Sequence, residues 1–271
     1  MSTPLSRAQS LASAHPEWPG ALVAALLPSD APPAATECAS EVVPGLLLAP
    51  RSVGADAPRL RALGVHTLVN VVSADEAPPL DDEGLAASGV EACCLLNMDE
   101  AWRDGYDRRI RSAAEALAEA RAEGRVGLVH GAAGISRSAA VVLCYLMLHH
   151  RPEGGAGSGA GAGGGAAAGA GVSAGAGAGA GMPLAEALLL LRAARPSVAP
   201  RAAYLRWLVV LDAERHGRAS LPPAMLAIAE ALESSSAASS PAEVPVAAVV
   251  AEGGSAVVAA EAAGEGVSNC L

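Results

Sequence analysis

The sequence predicts an α/β fold with a central, mostly parallel sheet that is flanked by helices. Short apolar runs, of the length of buried strands, alternate with segments of helical period between residues 41 and 217. Glycines follow several of the helical segments, where they end helices. The predicted domain therefore covers residues 41–217, with a mostly disordered N-terminal extension at 1–40 and a low-complexity tail at 218–271.

The first half of the domain consists of short strands, which are apolar and often β-branched, and of short helices that end at a glycine. In chain order these elements are strand Val42–Ala49 with a break at Pro44-Gly45, helix Pro58–Leu63, strand Val65–Val72, helix Leu80–Ser88 and strand Val90–Leu96. Gly64 and Gly89 are the glycines that follow the two helices.

A long amphipathic helix opens the second half of the domain. Ile110, Ala113 and Leu117 recur at helical spacing within Asp104–Glu123, and Gly124 follows. The later elements, predicted by the same criteria, are strand Val126–His130, helix Arg137–His149, helix Pro183–Arg195, helix Pro200–His216 and a further candidate helix at Pro223–Glu233.

Residues 154–181 interrupt the domain and are almost pure glycine and alanine. Such a segment buries too little apolar surface to offset the entropy of ordering its backbone, so it is predicted to be a flexible, disordered insertion. A silk-like tract that associates with itself is the alternative interpretation.

Composition excludes several classes of function. The formal net charge of −10 argues against non-specific nucleic-acid binding, which needs a basic surface, and no apolar run is long enough to span a membrane. The five cysteines form no CxxC pair and have no metal-ligand spacing, so we expect no metal and no cofactor. A reduced cytoplasmic or nuclear compartment fits best; the Ser- and Ala-rich residues 1–16, which carry Arg7, leave an organelle transit peptide as the alternative.

A loop of small residues joins the strand ending at His130 to the helix beginning at Arg137. Unpaired N–H groups and the helix dipole make such a helix start an anion site, and an arginine adds a fork of donors for phosphate oxygens. The predicted phosphate-binding residues are Gly131, Ala132, Ala133, Gly134, Ile135, Ser136 and Arg137.

This loop resembles that of the cysteine-dependent protein phosphatases, which carry His-Cys-x-x-Gly-x-x-Arg-Ser/Thr. The sequence matches at His130, Gly134, Arg137 and Ser138, but Gly131 occupies the cysteine position. The stretch from Ala133 to Ala140 is similar to the dual-specificity branch, and closer still to its serine/threonine/tyrosine-interacting pseudophosphatases.

The resemblance extends over about residues 41–215, apart from the insertion. It includes Leu63–Val71, which is similar to the family's second strand, and the turn Arg195–Pro200 near the end of the domain. Arg201 stands where the family has asparagine, which puts the contacts of that turn with the phosphate loop in question.

The resemblance also implies roles for single residues. Asp99, 32 positions before Gly131 (131 − 99), stands at the position of the family's general acid, with Asp104 and Asp107 as neighbouring competitors. Ser138 stands where a serine stabilises the leaving thiolate, and His130 has a supporting place beside the nucleophile position.

Because glycine has no side chain that could attack phosphorus, no catalytic set is intact. The backbone amides and Arg137 do not depend on a thiol, so phosphate binding should survive. The sequence thus predicts a catalytically inactive dual-specificity phosphatase-like protein, a pseudophosphatase, that binds phosphorylated Ser/Thr/Tyr proteins and regulates phosphoprotein signalling. We expect neither nucleic acid nor a membrane as a partner.

Three alternatives remain open from the sequence. An active protein phosphatase would need an unrecognised route, and a phosphate-independent scaffold would retain the pocket without using it. A dinucleotide-binding loop at Gly131–Gly134 would need a glycine where Arg137 stands and an acidic residue where Arg151 stands.

Overall fold

The computed structural model describes residues 3–28, 37–72, 80–99, 102–151 and 181–233. Within them the five strands of one sheet are β1 (Ser40–Val43), β2 (Leu46–Pro50), β3 (Val65–Asn70), β4 (Ala92–Leu95) and β5 (Val126–Gly131). Their order is β1-β2-β5-β3-β4; β1 runs antiparallel to β2, and the other pairs are parallel. The predicted α/β class with a mostly parallel sheet is confirmed.

The helices of the described residues are α1 (Pro4–Ala14), α2 (Gly20–Leu26), α3 (Arg51–Gly54), α4 (Ala57–Ala62), α5 (Asp82–Ser88), α6 (Tyr106–Ala122), α7 (Arg137–His149), α8 (Leu184–Ala194), α9 (Ala202–His216) and α10 (Leu226–Glu233), the last after a 3-10 turn at Pro223–Met225. Every helix that the periodicity predicts is present to within a few residues, whereas α1, α2 and α3 were not predicted.

The sheet separates two layers of helices because successive strand residues face opposite sides. Leu47 of β2 and Leu128 of β5 pack into a small core with α3 and α4. Leu48 and Val129, their neighbours in the chain, pack into the larger core with α6 and α7. Helix α7 is buried on all sides from Arg137 to Met147, so it forms the centre of the molecule.

Two helices, α1 and α2, lie within the N-terminal extension that was predicted to be mostly disordered, and α10 is the further helix predicted at Pro223–Glu233. Helix α2 packs on α8, and α1 packs on α10. Arg192 of α8 donates to the carbonyls of Ala24 and Leu27 at 3.1 and 2.6 Å, which anchors the end of α2. Such short, alanine-rich helices depend on tertiary packing, and their own periodicity is weak.

The predicted Gly/Ala insertion lies almost entirely outside the described residues, as do residues 234–271 of the predicted tail. The described chain resumes at residue 181, next to the end of α7, where Met182 N–H donates to the Leu146 carbonyl at 3.1 Å. The described helices include none that is both long and apolar enough to cross a bilayer.

Candidate functional site

The predicted phosphate loop lies at the carboxyl end of β5, where the parallel strands β2, β3 and β5 all point. This edge of a parallel sheet is where α/β proteins place their ligands. Residues 131–138 line a small cavity of about 90 Å³ at the start of α7. No side chain caps that helix start, since Ser136 at the N-cap makes no capping hydrogen bond. The structure thus brings all the predicted phosphate-binding residues together.

The loop is fixed to the sheet by backbone contacts. Arg51 N–H donates to the Ala132 carbonyl at 3.2 Å, and Val71 N–H donates to the His130 carbonyl at 3.1 Å. Gly134 adopts a φ of +69°, and a Cβ there would lie 2.6 Å from the Ala49 carbonyl oxygen. Both the positive φ and the close approach require glycine at this position.

Arg195 binds the loop but is not among the residues that line the cavity, and it is only 1% exposed. Its guanidinium donates to the Gly134 carbonyl at 2.9 Å and to the Ala133 carbonyl at 3.0 Å. In a planar trans peptide the N–H points away from the preceding C=O. The amides of Gly134 and Ile135 therefore point away from Arg195, which is the orientation that an anion in the loop requires.

Arg195 is a functional residue that the sequence patterns did not identify as part of the site. It also donates to the Cys38 carbonyl at 2.8 Å, so it joins the loop to the segment before β1. Burial lowers the pKa of its guanidinium, which stays cationic because arginine is the most basic side chain. Its place in the Arg195–Pro200 turn, which carries part of the family resemblance, was the available clue.

Arg137 is buried at the cavity, as predicted, with 4% of its surface exposed. Its Nη1 donates to the Met98 carbonyl at 2.8 Å. Because Met98 is next to Asp99, this hydrogen bond couples the phosphate loop to the segment that carries the candidate general acid.

Asp99 lies on that segment but is not among the residues that line the cavity. Its carboxylate forms an ion pair with Arg103 and is 41% exposed. Its backbone is held on both sides: the N–H donates to the Tyr106 hydroxyl at 2.7 Å, and the carbonyl accepts from the Tyr204 hydroxyl at 2.8 Å. Its role as an acid stays a prediction, while Asp107 lies in the first turn of α6, where it favours the helix.

Gly131 lies beside an unpaired hydroxyl, at close range. A Cβ on Gly131 would lie 3.0 Å from Ser138 Oγ and 3.2 Å from Val71 Cγ2. Ser138 is 1% exposed, and its hydroxyl has no hydrogen-bond partner among the described residues. A buried unpaired hydroxyl is costly, and it points here at the position that a side chain on residue 131 would occupy.

His130 lies directly before Gly131 with its side chain buried. A Cβ on Gly54 of α3 would collide with the imidazole ring, so the glycine makes room for the histidine. The ring Nδ1 has no hydrogen-bond partner within the described residues. Burial lowers the pKa of His130 to about 4, because the charged imidazolium loses its hydration there.

We expect acid to destabilise the fold between pH 6.5, the ordinary pKa of His130, and its folded pKa of about 4. In this window the unfolded chain binds a proton that the folded chain excludes. The free energy of unfolding therefore decreases as the pH is lowered, by about 3 kcal/mol in total. Above the ordinary pKa the contribution is constant. Urea unfolding at several pH values should show a smaller loss for His130→Gln; an unchanged pH profile would contradict this assignment.

The turn that contains Arg201 keeps its contacts with the loop although the family's asparagine is missing. Arg201 N–H donates to Ser136 Oγ at 3.1 Å, and Ala199 N–H donates to the Ile135 carbonyl at 3.0 Å. These donors belong to the backbone, so they do not depend on which side chain stands at residue 201.

The described residues contain no group of three or more His, Cys, Asp or Glu side chains that could hold a metal ion. Cys38 and Cys144 are free cysteines.

Residues 48–152 match the family profile of the dual specificity phosphatase catalytic domain. The mouse dual specificity protein phosphatase 12 is 32% identical over 120 residues, which are 44% of this chain and 34% of the mouse protein. The bovine dual specificity protein phosphatase 26 is 37% identical over 118 residues, which are 42% of this chain and 53% of the bovine protein. The chain thus covers between a third and about half of these relatives.

Among solved structures, human DUSP28 is similar with 23% identity and a TM-score of 0.47, over 69% of this chain and 97% of that one. The human tyrosine phosphatase-like serine/threonine/tyrosine-interacting protein is similar with 22% identity and a TM-score of 0.47, over 65% of this chain and 96% of that one.

Proposed function

Because the chain carries a dual-specificity phosphatase-like domain, we propose that it binds phosphorylated Ser, Thr or Tyr residues of partner proteins without hydrolysing them. In this account it regulates phosphoprotein signalling in the cytoplasm or nucleus. The observation that carries the proposal is the geometry of the loop. Arg195 orients its backbone amides, Arg137 lines the same cavity, and residue 131 lacks a side chain.

Phosphate binding is supported by groups that do not react. Loop amides at the start of α7 and the buried guanidinium of Arg137 are donors for phosphate oxygens. Glycine at residue 131 also removes the thiolate that family enzymes place at the bottom of the loop. Without that negative charge a phosphate dianion meets less repulsion, so the site should bind it at least as well.

Loss of catalysis is supported by the state of the remaining nucleophile candidates. Cys144 is 0% exposed within α7, and burial raises the pKa of its thiol to about 12, so it stays protonated and out of reach. Ser136 Oγ accepts a hydrogen bond from the Arg201 backbone. The Ser138 hydroxyl has no partner in the described residues, so no base is placed to activate it.

Arg137→Ala should weaken binding of a phosphotyrosine peptide by about 1.5–3 kcal/mol, which is roughly 10- to 150-fold, because charged hydrogen bonds to phosphate are lost. Isothermal titration of wild type and variant measures this, with melting temperatures recorded for both. Arg137→Met, which keeps the apolar stem, provides a second variant if alanine destabilises the fold.

The matched control is Arg61→Ala, which removes an equal charge from an exposed position on α4 and should leave the affinity unchanged. The unphosphorylated peptide should not bind. Equal affinity of the wild-type and Arg137→Ala proteins for the phosphopeptide would remove the proposed function and favour a phosphate-independent scaffold.

A further inference from the structure

Aromatic residues are rare in this chain and concentrate beside the phosphate loop. The chain has three Trp, three Tyr and no Phe. Four of these six pack together: Trp102 contacts Trp207 and Tyr204 with ring centroids 5.5 Å apart, and Tyr106 at 6.0 Å. Tyr106 and Tyr204 also bind the Asp99 backbone through their hydroxyls, whereas the Trp207 ring is covered by Arg111, whose Cζ lies 5.8 Å from the ring centroid.

The two tryptophans line an open apolar cavity on α9. This cavity, of about 340 Å³, is lined by Trp102, Ala203, Arg206, Trp207 and Val210. Ala203, Trp207 and Val210 lie on one face of α9 at helical spacing, and Val210 is 56% exposed. The opposite face of α9 is buried in the core. Trp102 and Trp207 are partly buried against that core and also line the cavity, so part of their surface stays open to it.

Helix α9, which carries four of the five residues that line the cavity, begins at the phosphate loop. Arg201, which precedes α9, donates its N–H to Ser136 Oγ at 3.1 Å. Val210 lies nine residues after Arg201, and nine residues of helix span about 13 Å at 1.5 Å per residue. An extended peptide covers that distance with about four residues. A segment with its phosphoresidue in the loop can therefore reach the whole cavity.

We propose that Trp102, Trp207 and Val210 form a second subsite, which binds an apolar side chain up to four residues from the phosphoresidue of the same bound segment. This inference rests on the proposed function and adds a ligand class to it: phosphorylated segments with a nearby Leu, Ile, Met or aromatic side chain. Arg206, at the edge of the cavity, is paired with Glu230 at 2.7 Å, so the cavity offers apolar surface rather than a free charge.

The test uses phosphotyrosine peptides on a Gly/Ser background, each with a single leucine at one position from four residues before to four residues after the phosphotyrosine. At one or two adjacent positions the leucine should tighten binding to the wild-type protein about tenfold, because about half of its apolar surface becomes buried. Trp207→Ala should abolish this gain, and Val210→Ser, an exposed and structurally mild change, should reduce it about threefold.

Leu189→Ser is the matched control, because it removes an exposed leucine from α8 and should keep the full gain. Affinity for inorganic phosphate should be the same in wild type, Val210→Ser and Leu189→Ser. Phosphate binding with no leucine preference at any position would overturn the subsite alone, whereas loss of all phosphate binding in the wild type would overturn the proposed function.

Two other possible occupants of the cavity, a segment of this chain and a second copy of it, can be distinguished from a bound peptide by experiment. Helix α10 ends at Glu233, whose carboxylate accepts from the N–H of Ala202, the neighbour of Ala203 in the cavity. If a chain truncated after residue 233 bound the leucine peptides more tightly than the full-length chain, residues 234–271 would be the occupant of the cavity. That result would overturn the proposal. A dimer in sedimentation that Val210→Ser converts to a monomer would overturn it in favour of a second copy of the chain.

Discussion

Arg195→Met is expected to abolish phosphate binding and to lower the free energy of unfolding by about 3–5 kcal/mol, since each buried carbonyl left without a donor costs about 1–3 kcal/mol. The guanidinium is 1% exposed and donates to the carbonyls of Ala133, Gly134 and Cys38. Methionine fills similar space but has no donors. The expected fall in melting temperature is about 10 °C for a domain of this size.

The binding loss in this variant has a cause separate from the stability loss. Without Arg195 the peptides after Ala133 and Gly134 are free to rotate, and their N–H groups no longer converge on the cavity. We expect no measurable binding of the phosphotyrosine peptide at temperatures where circular dichroism shows a folded protein.

Arg192→Met is the matched control on the same helical region. Arg192 donates to the carbonyls of Val198, Ala24 and Leu27, none of which belongs to the phosphate loop. Its replacement should lower the melting temperature but leave a phosphate site that still binds. An Arg195→Met protein that bound phosphopeptide as wild type does would mean that this arginine does not orient the loop.

The α/β layers were predictable because their causes are local. Val65–Asn70 and Val126–Gly131 are apolar runs of strand length, and the helix that buries Ile110 and Leu117 shows a clear period. Glycines with positive φ at 89 and 124 end helices as expected. Helices α1 and α2 were missed because they are short and are stabilised by packing on α10 and α8, which lie far away in sequence.

The candidate site likewise has a part that could be predicted from local sequence and a part that could not. Its loop is one contiguous stretch of chain, so residues 131–137 could be predicted from strand, small residues and helix start alone. Arg195 and the Ala49 carbonyl, which approach Gly134, come from segments more than 60 residues away on either side. Contacts between such distant segments cannot be predicted from a local sequence pattern, although the family resemblance already included the turn that begins with Arg195.

Gly131→Cys is expected to turn the protein into a phosphatase, with turnover at least about a thousandfold above wild type, because losing a nucleophile from a concerted site costs on the order of a millionfold. The backbone at Gly131 accepts a side chain, since its φ lies outside the left-handed region. The new Cβ would be 3.0 Å from Ser138 Oγ and 3.2 Å from Val71 Cγ2, so both neighbours need to yield by a few tenths of an ångström. Rotation of the Ser138 side chain about χ1, which moves Oγ, would provide part of that space.

The loop should also activate the new thiol. The amides at the start of α7 and Arg137, which favour a phosphate dianion, favour a thiolate for the same electrostatic reason and lower its pKa. The unpaired Ser138 hydroxyl gains an acceptor in that thiolate. If Asp99 protonates the leaving oxygen as the resemblance implies, Gly131→Cys/Asp99→Asn should lose most of the rescued activity.

The most direct test of the central claim, that only the nucleophile is missing from an otherwise intact phosphate site, is p-nitrophenyl phosphate turnover by wild type, Gly131→Cys and Gly131→Ser. The account predicts turnover by Gly131→Cys alone, since serine supplies the bulk without a reactive thiolate. Wild-type turnover equal to that of Gly131→Cys, or a folded Gly131→Cys protein without activity, would contradict it.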